Sequence, residues 1–431
     1  MAITGKVGLL ALVGVVPVAM GLPSWTGVLV VLGALAAAVA VDVLLAAPVR
    51  GLTFARSGPA VVRLGETAEV TLWVTNPGRR PLRGVLRDAW PPSAGLERDR
   101  FRITVPPGER RPVVVRLRPV RRGDRTAHRV TVRALGPLGL AGRQGSHRVP
   151  GTLRVLPPFS SRKHLPSRLT RLQQLDGRQA ALVRGEGTEF DSLREYVIGD
   201  DVRSIDWRAT ARAADVMVRT WRPERDRRVL VVLDTGRTAA ARVGDVPRLD
   251  AALDAALLLA VLASRAGDRV DFLAYDRRVR ADVRGLAAGE LLPGLVTAMA
   301  PLEASLVETD ARGMVAEVLR RARRRSLVVL LTGLDAAPLE EGLLPVLPSV
   351  VARHQLVVAG VADPGVTAMA RARGDAEAVY DAAAAERTLA ERRRVTSLLA
   401  QRGVTVVDAV PDRLAPALAD SYLALKAAGR L

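Results

Sequence analysis

The chain has no cysteine, only 3% aromatic residues and just three lysines, Lys6, Lys163 and Lys426, among its 64 basic residues. Without cysteine there is no disulfide, no thiolate metal site and no cysteine nucleophile. Scarce aromatics leave Ala, Val and Leu to fill the cores within a globular hydrophobic share of 49%. The formal charge of +20 invites phosphate or anionic lipid as a partner, yet it comes from 61 arginines scattered over every segment. Binding a nucleic-acid backbone wants a localised stripe, so no nucleic-acid partner is expected. Also missing are Gly-x-x-x-x-Gly-Lys-Ser/Thr, His-Glu-x-x-His and Gly-x-Ser-x-Gly, which argues against an ATPase, a zincin or a serine hydrolase. The four histidines, His128, His147, His164 and His354, lie apart.

What is present divides the 431 residues into several segments, enough for two or three domains. Apolar runs at 7–22 and 26–47, separated by Pro23, Ser24 and Trp25, predict a transmembrane helical hairpin over residues 1–48. The second run suffices for a hydrocarbon core of about 30 Å, whereas the first is near the lower limit and carries Pro17. A signal peptide fits less well, because a second apolar run follows at once and no small-residue cleavage site precedes a polar start. Lys6 before the first run and Arg50, Arg56 and Arg63 after the second place both ends in the cytoplasm. The expected location is therefore the cell membrane, with the globular part cytoplasmic. Asp42, costly inside the second run, is expected to reach the membrane interface at the helix exit.

Residues 49–156 alternate apolar and polar in short runs such as AEVTLWVTN and RPVVVRLRPV, broken by Asn76-Pro77-Gly78 and Pro106-Pro107-Gly108. They predict a small all-β sandwich, without the cysteine pair of an immunoglobulin domain. Residues 157–228 read as a Pro-, Arg- and Asp-rich connector, and residues 229–431 as an α/β doubly wound domain in which buried strands alternate with amphipathic helices. Ligands of such sheets bind beyond the carboxyl ends of the strands. The basic run Arg320, Arg321, Arg323, Arg324 and Arg325 is expected to be a solvated helix end.

The first strand of this domain ends in Asp234-Thr235-Gly236-Arg237-Thr238, a carboxylate with a hydroxyl one turn on. With Thr309 and Asp335 at later strand ends, these oxygens are candidate ligands for a hard cation such as Mg²⁺. This half resembles the von Willebrand factor type A domain, whose metal-ion-dependent adhesion site uses an Asp-x-Ser-x-Ser turn, a distant Thr and a distant Asp. Asp234 and Thr238 match the turn's ends, while Gly236 replaces its middle hydroxyl. The resemblance implies either a metal at Asp234, Thr238, Thr309 and Asp335 or a degenerate site in which Asp234 hydrogen-bonds the neighbouring turn.

The string from Gly185 to Arg212 (GEGTEFDSLREYVIGDDVRSIDWRATAR) is the most distinctive in the chain. It resembles the signature of the family called domain of unknown function 58, which carries this block ahead of a type A-like domain and often behind two membrane helices and a β-rich segment. Members commonly accompany MoxR-type AAA+ ATPases, which implies such an ATPase as a protein partner in assembling or maturing other proteins. The block mixes Glu189, Asp191, Asp200, Asp201 and Asp206 with Arg194, Arg203 and Arg212, beside Tyr196 and Trp207. A structural clasp by mutual pairing or a partner-docking surface, either one anchored on Trp207 and Trp221, and two-metal phosphoryl chemistry are the readings it leaves open. The block has no His or Lys to serve as a base or charge clamp. A non-enzymatic, membrane-anchored adaptor that binds partners through the type A-like domain is the leading expectation. A metal-dependent hydrolase using Asp234 and the acidic block is the alternative.

Overall fold

A long apolar segment can satisfy its backbone polar groups away from water only by coiling them onto one another, and the N-terminal segment does so. After a short strand β1 (Ala2–Ile3) come helices α1 (Gly5–Gly21) and α2 (Trp25–Leu45), packed against each other. The structure, a computed structural model, describes residues 2–21, 24–182, 189–213, 215–222, 227–244 and 246–431, and the chain divides into two units, Met1–Pro158 and Phe159–Leu431. With 21 residues α2 is long and apolar enough to cross a membrane; α1, with 17 residues and Pro17 inside, is shorter. Side chains such as Leu9, Leu12, Val16, Leu29 and Leu32 stand exposed on these helices.

The first unit continues with β2 (Thr53–Ser57), β3 (Val61–Arg63), β4 (Ala68–Thr75), β5 (Leu82–Ala89), β6 (Arg100–Val105), β7 (Arg110–Leu117), β8 (Gly123–Leu135) and β9 (Ala141–Leu156). One sheet runs β2-β4-β7 and the other β1-β9-β8-β5-β6, with β3 parallel on β9. The alternation expected from the sequence sets the core: Val70, Leu72 and Val74 of β4 turn inward with Val113, Val115 and Leu117 of β7, and they share a core with Leu82, Leu86, Val130 and Val132 of the other sheet. A buried ion pair links the sheets. Arg56 on β2 donates to both oxygens of Asp88 on β5, at 2.7 and 2.9 Å, and Trp90 adds an indole N–H at 2.9 Å.

Asp42 does not reach out to the interface. Its carboxylate is fully buried and accepts the backbone N–H groups of Leu138, Leu140 and Ala141 at 2.8, 2.6 and 2.8 Å. Its position near the helix exit suggested water, but the β8–β9 loop supplies three donors that water would otherwise have supplied, and a buried carboxylate needs such donors. Around it, Ile3 pairs with Ala141, Arg143 donates to the Val43 carbonyl at 3.0 Å, and Arg80 donates to the Leu44 carbonyl. Both ends of the helical pair are thus sewn to one end of the β-sheet.

In the second unit, the amide of Ser161 reaches Asp254 at 3.1 Å and its hydroxyl at 3.0 Å, and burial pushes the Asp254 carboxyl above its ordinary value despite these bonds. Helix α3 (Leu165–Leu182) follows. A two-stranded antiparallel ribbon comes next, β10 (Glu189–Glu195) with β11 (Met217–Arg222), enclosing the single-turn helix α4 (Trp207–Thr210).

The remaining elements are β12 (Arg228–Asp234), α5 (Arg237–Ala240), β13 (Arg242–Val243), β14 (Val246–Pro247), α6 (Arg248–Arg265), β15 (Arg269–Tyr275), β16 (Val279–Val283), α7 (Ala288–Met299), α8 (Ala311–Arg321), β17 (Leu327–Leu331), α9 (Leu347–Val351), β18 (Gln355–Val361), α10 (Pro364–Arg371), α11 (Ala376–Gln401), β19 (Thr405–Ala409) and α12 (Pro411–Ala427). The central sheet is ordered β16-β15-β12-β17-β18-β19, with β16 antiparallel at one edge and every other pair parallel. Strands such as Leu327–Leu331 are buried along their whole length because helices cover both faces. Val232, Leu330 and Val358 pack with Met314, Leu347 and Leu399 from α8, α9 and α11, while α6 and α12 contact β18 from the other face.

The basic run at the end of α8 is not wholly solvated. Arg321 is buried and pairs with Asp282 of β16 at 2.8 Å and with Glu317, because its place on α8 faces the sheet edge that carries Asp282.

Replacing Asp42 by Ala should leave three amides of the β8–β9 loop unpaired, raising hydrogen exchange at Leu138, Leu140 and Ala141 by about tenfold or more. Unchanged protection of those amides would show that the clasp does not hold the loop.

Candidate functional site

Parallel register brings the tips of β12 and β17 side by side, with Leu233 paired to Leu331, so the residues that follow each strand emerge at one edge. Asp234, the last residue of β12, is 4% exposed. One of its oxygens accepts the Gly236 amide at 2.8 Å and the Thr309 hydroxyl at 2.5 Å; the other accepts Thr332 at 2.6 Å and Thr238 at 3.2 Å. The two oxygens offer roughly four lone-pair sites, and each of the four has a donor. Asp234, Thr238 and Thr309 therefore do come together, as the spacing suggested.

The fourth donor, Thr332, was not among the residues picked out from the sequence. It is the first polar residue after the buried run Leu327–Leu331, the same signal that singled out Asp234 after β12. The glycine in the turn has a steric cause: a Cβ on Gly236 would stand 2.1 Å from the Thr309 hydroxyl and 3.1 Å from Asp234. A larger residue there would push Thr309 away from the carboxylate.

Asp335 lies near this cluster but is engaged otherwise. The guanidinium of Arg248, the first residue of α6, approaches both of its oxygens at 3.1 and 3.4 Å. A second strand-end carboxylate, Asp276 beyond β15, was also missed. It accepts the Ser305 hydroxyl at 2.8 Å and the amides of Arg277 and Arg278 at 2.6 and 3.2 Å. Burial opposes its charge, but Ser305, the two amides and Arg280 outweigh burial and hold the Asp276 carboxyl below its ordinary value.

In front of Asp234 opens a cavity of about 250 Å³ whose lining includes Arg237, Thr238, Glu308, Thr309, Thr332 and Glu341. Arg237 and Glu308 pair across its exposed rim at 3.0 Å. The expected Mg²⁺ ligands do not fit an ion in this arrangement. The lone pairs of Asp234 are all taken by donors, Asp335 is paired with a guanidinium, and the neutral threonine hydroxyls alone are a poor inducement for Mg²⁺ to shed water. Among the described residues no group of three or more His, Asp or Glu gathers to hold a metal.

The signature block forms the ribbon and the loop it encloses; its opening residues 185–188 lie outside the described residues. The side chains of Glu189, Asp191 and Trp221 likewise lie outside those described. Within the rest, two ion pairs form locally. Arg194 pairs with Asp200 at 2.6 Å, and Arg219 with Asp206 at 2.8 Å. Asp206 also caps α4 through the amides of Arg208 and Ala209, both at 3.0 Å, and Asp201 caps the preceding turn at the Arg203 amide. The Ala209 amide first, then Arg219, hold the Asp206 carboxyl below its usual value, and Arg194 does the same for Asp200. The Tyr196 amide bonds the Val216 carbonyl across the ribbon, while Arg203 and Arg212 are exposed. Trp207 is 70% exposed and Ile198 97% exposed, and Val197 and Val202 are exposed as well.

Residues 192–396 match the family model described as "Protein of unknown function DUF58", the family whose signature the block resembles. Over 202 residues the chain is 27% identical to proteins of Mycobacterium bovis and Mycobacterium tuberculosis, each described as an uncharacterized protein, covering 46% of this chain and 63% of theirs. The chain thus spans less than two thirds of the length of these curated relatives. Among solved structures, the CARDB domain of the PF1109 protein from Pyrococcus furiosus, crystallised with di-metal ions, aligns with a TM-score of 0.18 at 16% identity over 24% of this chain and 91% of its own. A FixG-related protein from Vibrio parahaemolyticus aligns with a TM-score of 0.17 at 12% identity over 24% and 95%. At such scores neither bears on the fold or function of this chain.

Thr332→Val removes a hydroxyl donor from a buried carboxylate at nearly constant volume and should cost about 1.5–3 kcal/mol in urea unfolding. An unchanged unfolding midpoint would mean that Asp234 does not depend on that hydroxyl.

Proposed function

We propose that the protein is a membrane-anchored adaptor whose second unit is a doubly wound, von Willebrand factor type A-like domain that docks a protein partner. The observation that carries this reading is the β10–β11 ribbon. Two of its ion pairs, Arg194 with Asp200 and Arg219 with Asp206, form within the block, while Trp207, Ile198 and Val202 in the loop it encloses stand exposed at 70%, 97% and 63%. Exposed Trp and aliphatic side chains within one short block are the residue types that anchor protein interfaces.

The cavity beyond Asp234 offers a second contact, at the strand-end face where ligands of parallel sheets bind. The family resemblance nominates a MoxR-type AAA+ ATPase as the partner, with the globular part of the protein on the cytoplasmic side of the membrane. The hydrolase reading has less support, since the donors on Asp234 leave it no free lone pair with which to activate water or bind a catalytic ion.

The test is binding of the detergent-solubilised full-length protein to a purified MoxR-type ATPase from the same cells. Wild type should bind, and Trp207→Ala or Ile198→Asp should weaken binding by about tenfold or more without altering the unfolding midpoint. Equal binding by all three proteins would remove the ribbon from the interface. Phosphoester turnover with Mg²⁺ or Mn²⁺ that is lost in Asp234→Ala would overturn the adaptor reading in favour of the hydrolase.

A further inference from the structure

One part of the mismatch between the strand-end donors and a metal ion is specific to Arg248. Its backbone position is fixed: it opens α6 directly after Pro247, and its amide donates to the Ala241 carbonyl at 2.8 Å. From there its side chain, 16% exposed, runs to Asp335, whose side chain is 41% exposed. One terminal nitrogen meets both carboxylate oxygens, at 3.1 and 3.4 Å. Asp335 is in turn part of the Asp234 corner. A Cβ on Gly333 would stand 2.6 Å from the Asp335 carboxylate and 2.8 Å from Cβ of Thr238, so the two side chains flank the same small gap.

We infer that Arg248 is the resident counter-cation of the corner beside this pocket, taking at Asp335 the place a divalent ion would need, so that the strand-end site works without a metal. A hard cation requires carboxylate oxygens in its inner sphere at about 2 Å, and it brings two positive charges. Here one carboxylate is saturated by donors, and the other already faces a guanidinium that repels a second cation. Arginine does not lose its proton in proteins, so the block persists at any physiological pH. It is also tethered, held next to Asp335 by the chain itself. Because Asp335 is partly exposed, the pair is screened by salt, and a protein partner's carboxylate that reached Arg248 would compete with Asp335 for it.

The inference goes beyond the adaptor reading and stands apart from it, since its test uses this chain alone and no partner. Mn²⁺ binding to the full-length protein in detergent is followed by electron paramagnetic resonance, with circular dichroism checking that each variant is folded. Wild type should show no saturable binding up to about 1 mM. Arg248→Gln should gain a saturable site at least about tenfold tighter, because it returns a free carboxylate to the corner. The gain should vanish in Arg248→Gln combined with Asp335→Asn, and Arg248→Lys, which keeps the charge, should stay metal-free. Stoichiometric Mn²⁺ binding by wild type that is lost in Asp234→Ala would overturn the inference. A folded Arg248→Gln with no gain would overturn it as well. If Arg248→Gln does not fold, wild type and Arg248→Lys still decide, since saturable binding by either one contradicts a resident cation.

Discussion

The carboxylate of Asp234 is the point on which the strand-end surface depends. Its four donors come from its own turn at Gly236 and Thr238, from Thr309 at the entrance to α8, and from Thr332 just past β17. Thr309 and Thr332 lie 75 and 98 residues away in sequence, so one buried charge ties three separate connections into a single rim. Removing the carboxylate would orphan three hydroxyls and an amide at once. That cost is far larger than the loss of any exposed ion pair on this arginine-rich surface.

The first unit repeats the device. Asp42 gathers three amides of the β8–β9 loop, and β1 pairs alongside, so the membrane-type helices and the sandwich meet through a satisfied charge. Asp42, expected at the membrane interface, and Asp234, read in the sequence as a candidate metal ligand, are both engaged instead in organising backbone and hydroxyl groups. The signature ribbon follows the same rule over shorter distances: Arg194 with Asp200 and Arg219 with Asp206 are neutralised within the block, and apolar Ile198, Val202 and Trp207 are left facing outward. On the proposed adaptor reading, these exposed side chains are where a partner would touch.

Much of this was legible in the sequence because it rests on local periodicity. The alternation in AEVTLWVTN and RPVVVRLRPV marked the two adjacent inward rows of β4 and β7, and the apolar runs ending at Asp234 and Leu331 marked the parallel strands and the edge where they stop. Asp234 was within reach because a polar residue at the end of a buried strand has few other reasons to be there, and Thr238 follows it one turn on; Thr309, expected at a later strand end, instead lies at the entrance to α8. The rest depended on pairings that no local pattern encodes. Arg248 finds Asp335 across 87 residues, Arg321 finds Asp282 across 39, and Asp42 finds Leu140 across 98. Each is set by crossover connections and register, so the same Asp335 reads as a metal ligand in sequence and as half of an ion pair in three dimensions.

The most direct measurement is denaturant unfolding of the full-length protein and of Asp234→Asn, each with and without Mg²⁺. A carboxylate that serves as a hydrogen-bond hub predicts a wild-type midpoint indifferent to Mg²⁺ and a variant destabilised by about 1.5–3 kcal/mol in both conditions. A wild-type midpoint that rises with Mg²⁺ while that of Asp234→Asn does not would contradict it, and would make the strand-end corner a metal site after all.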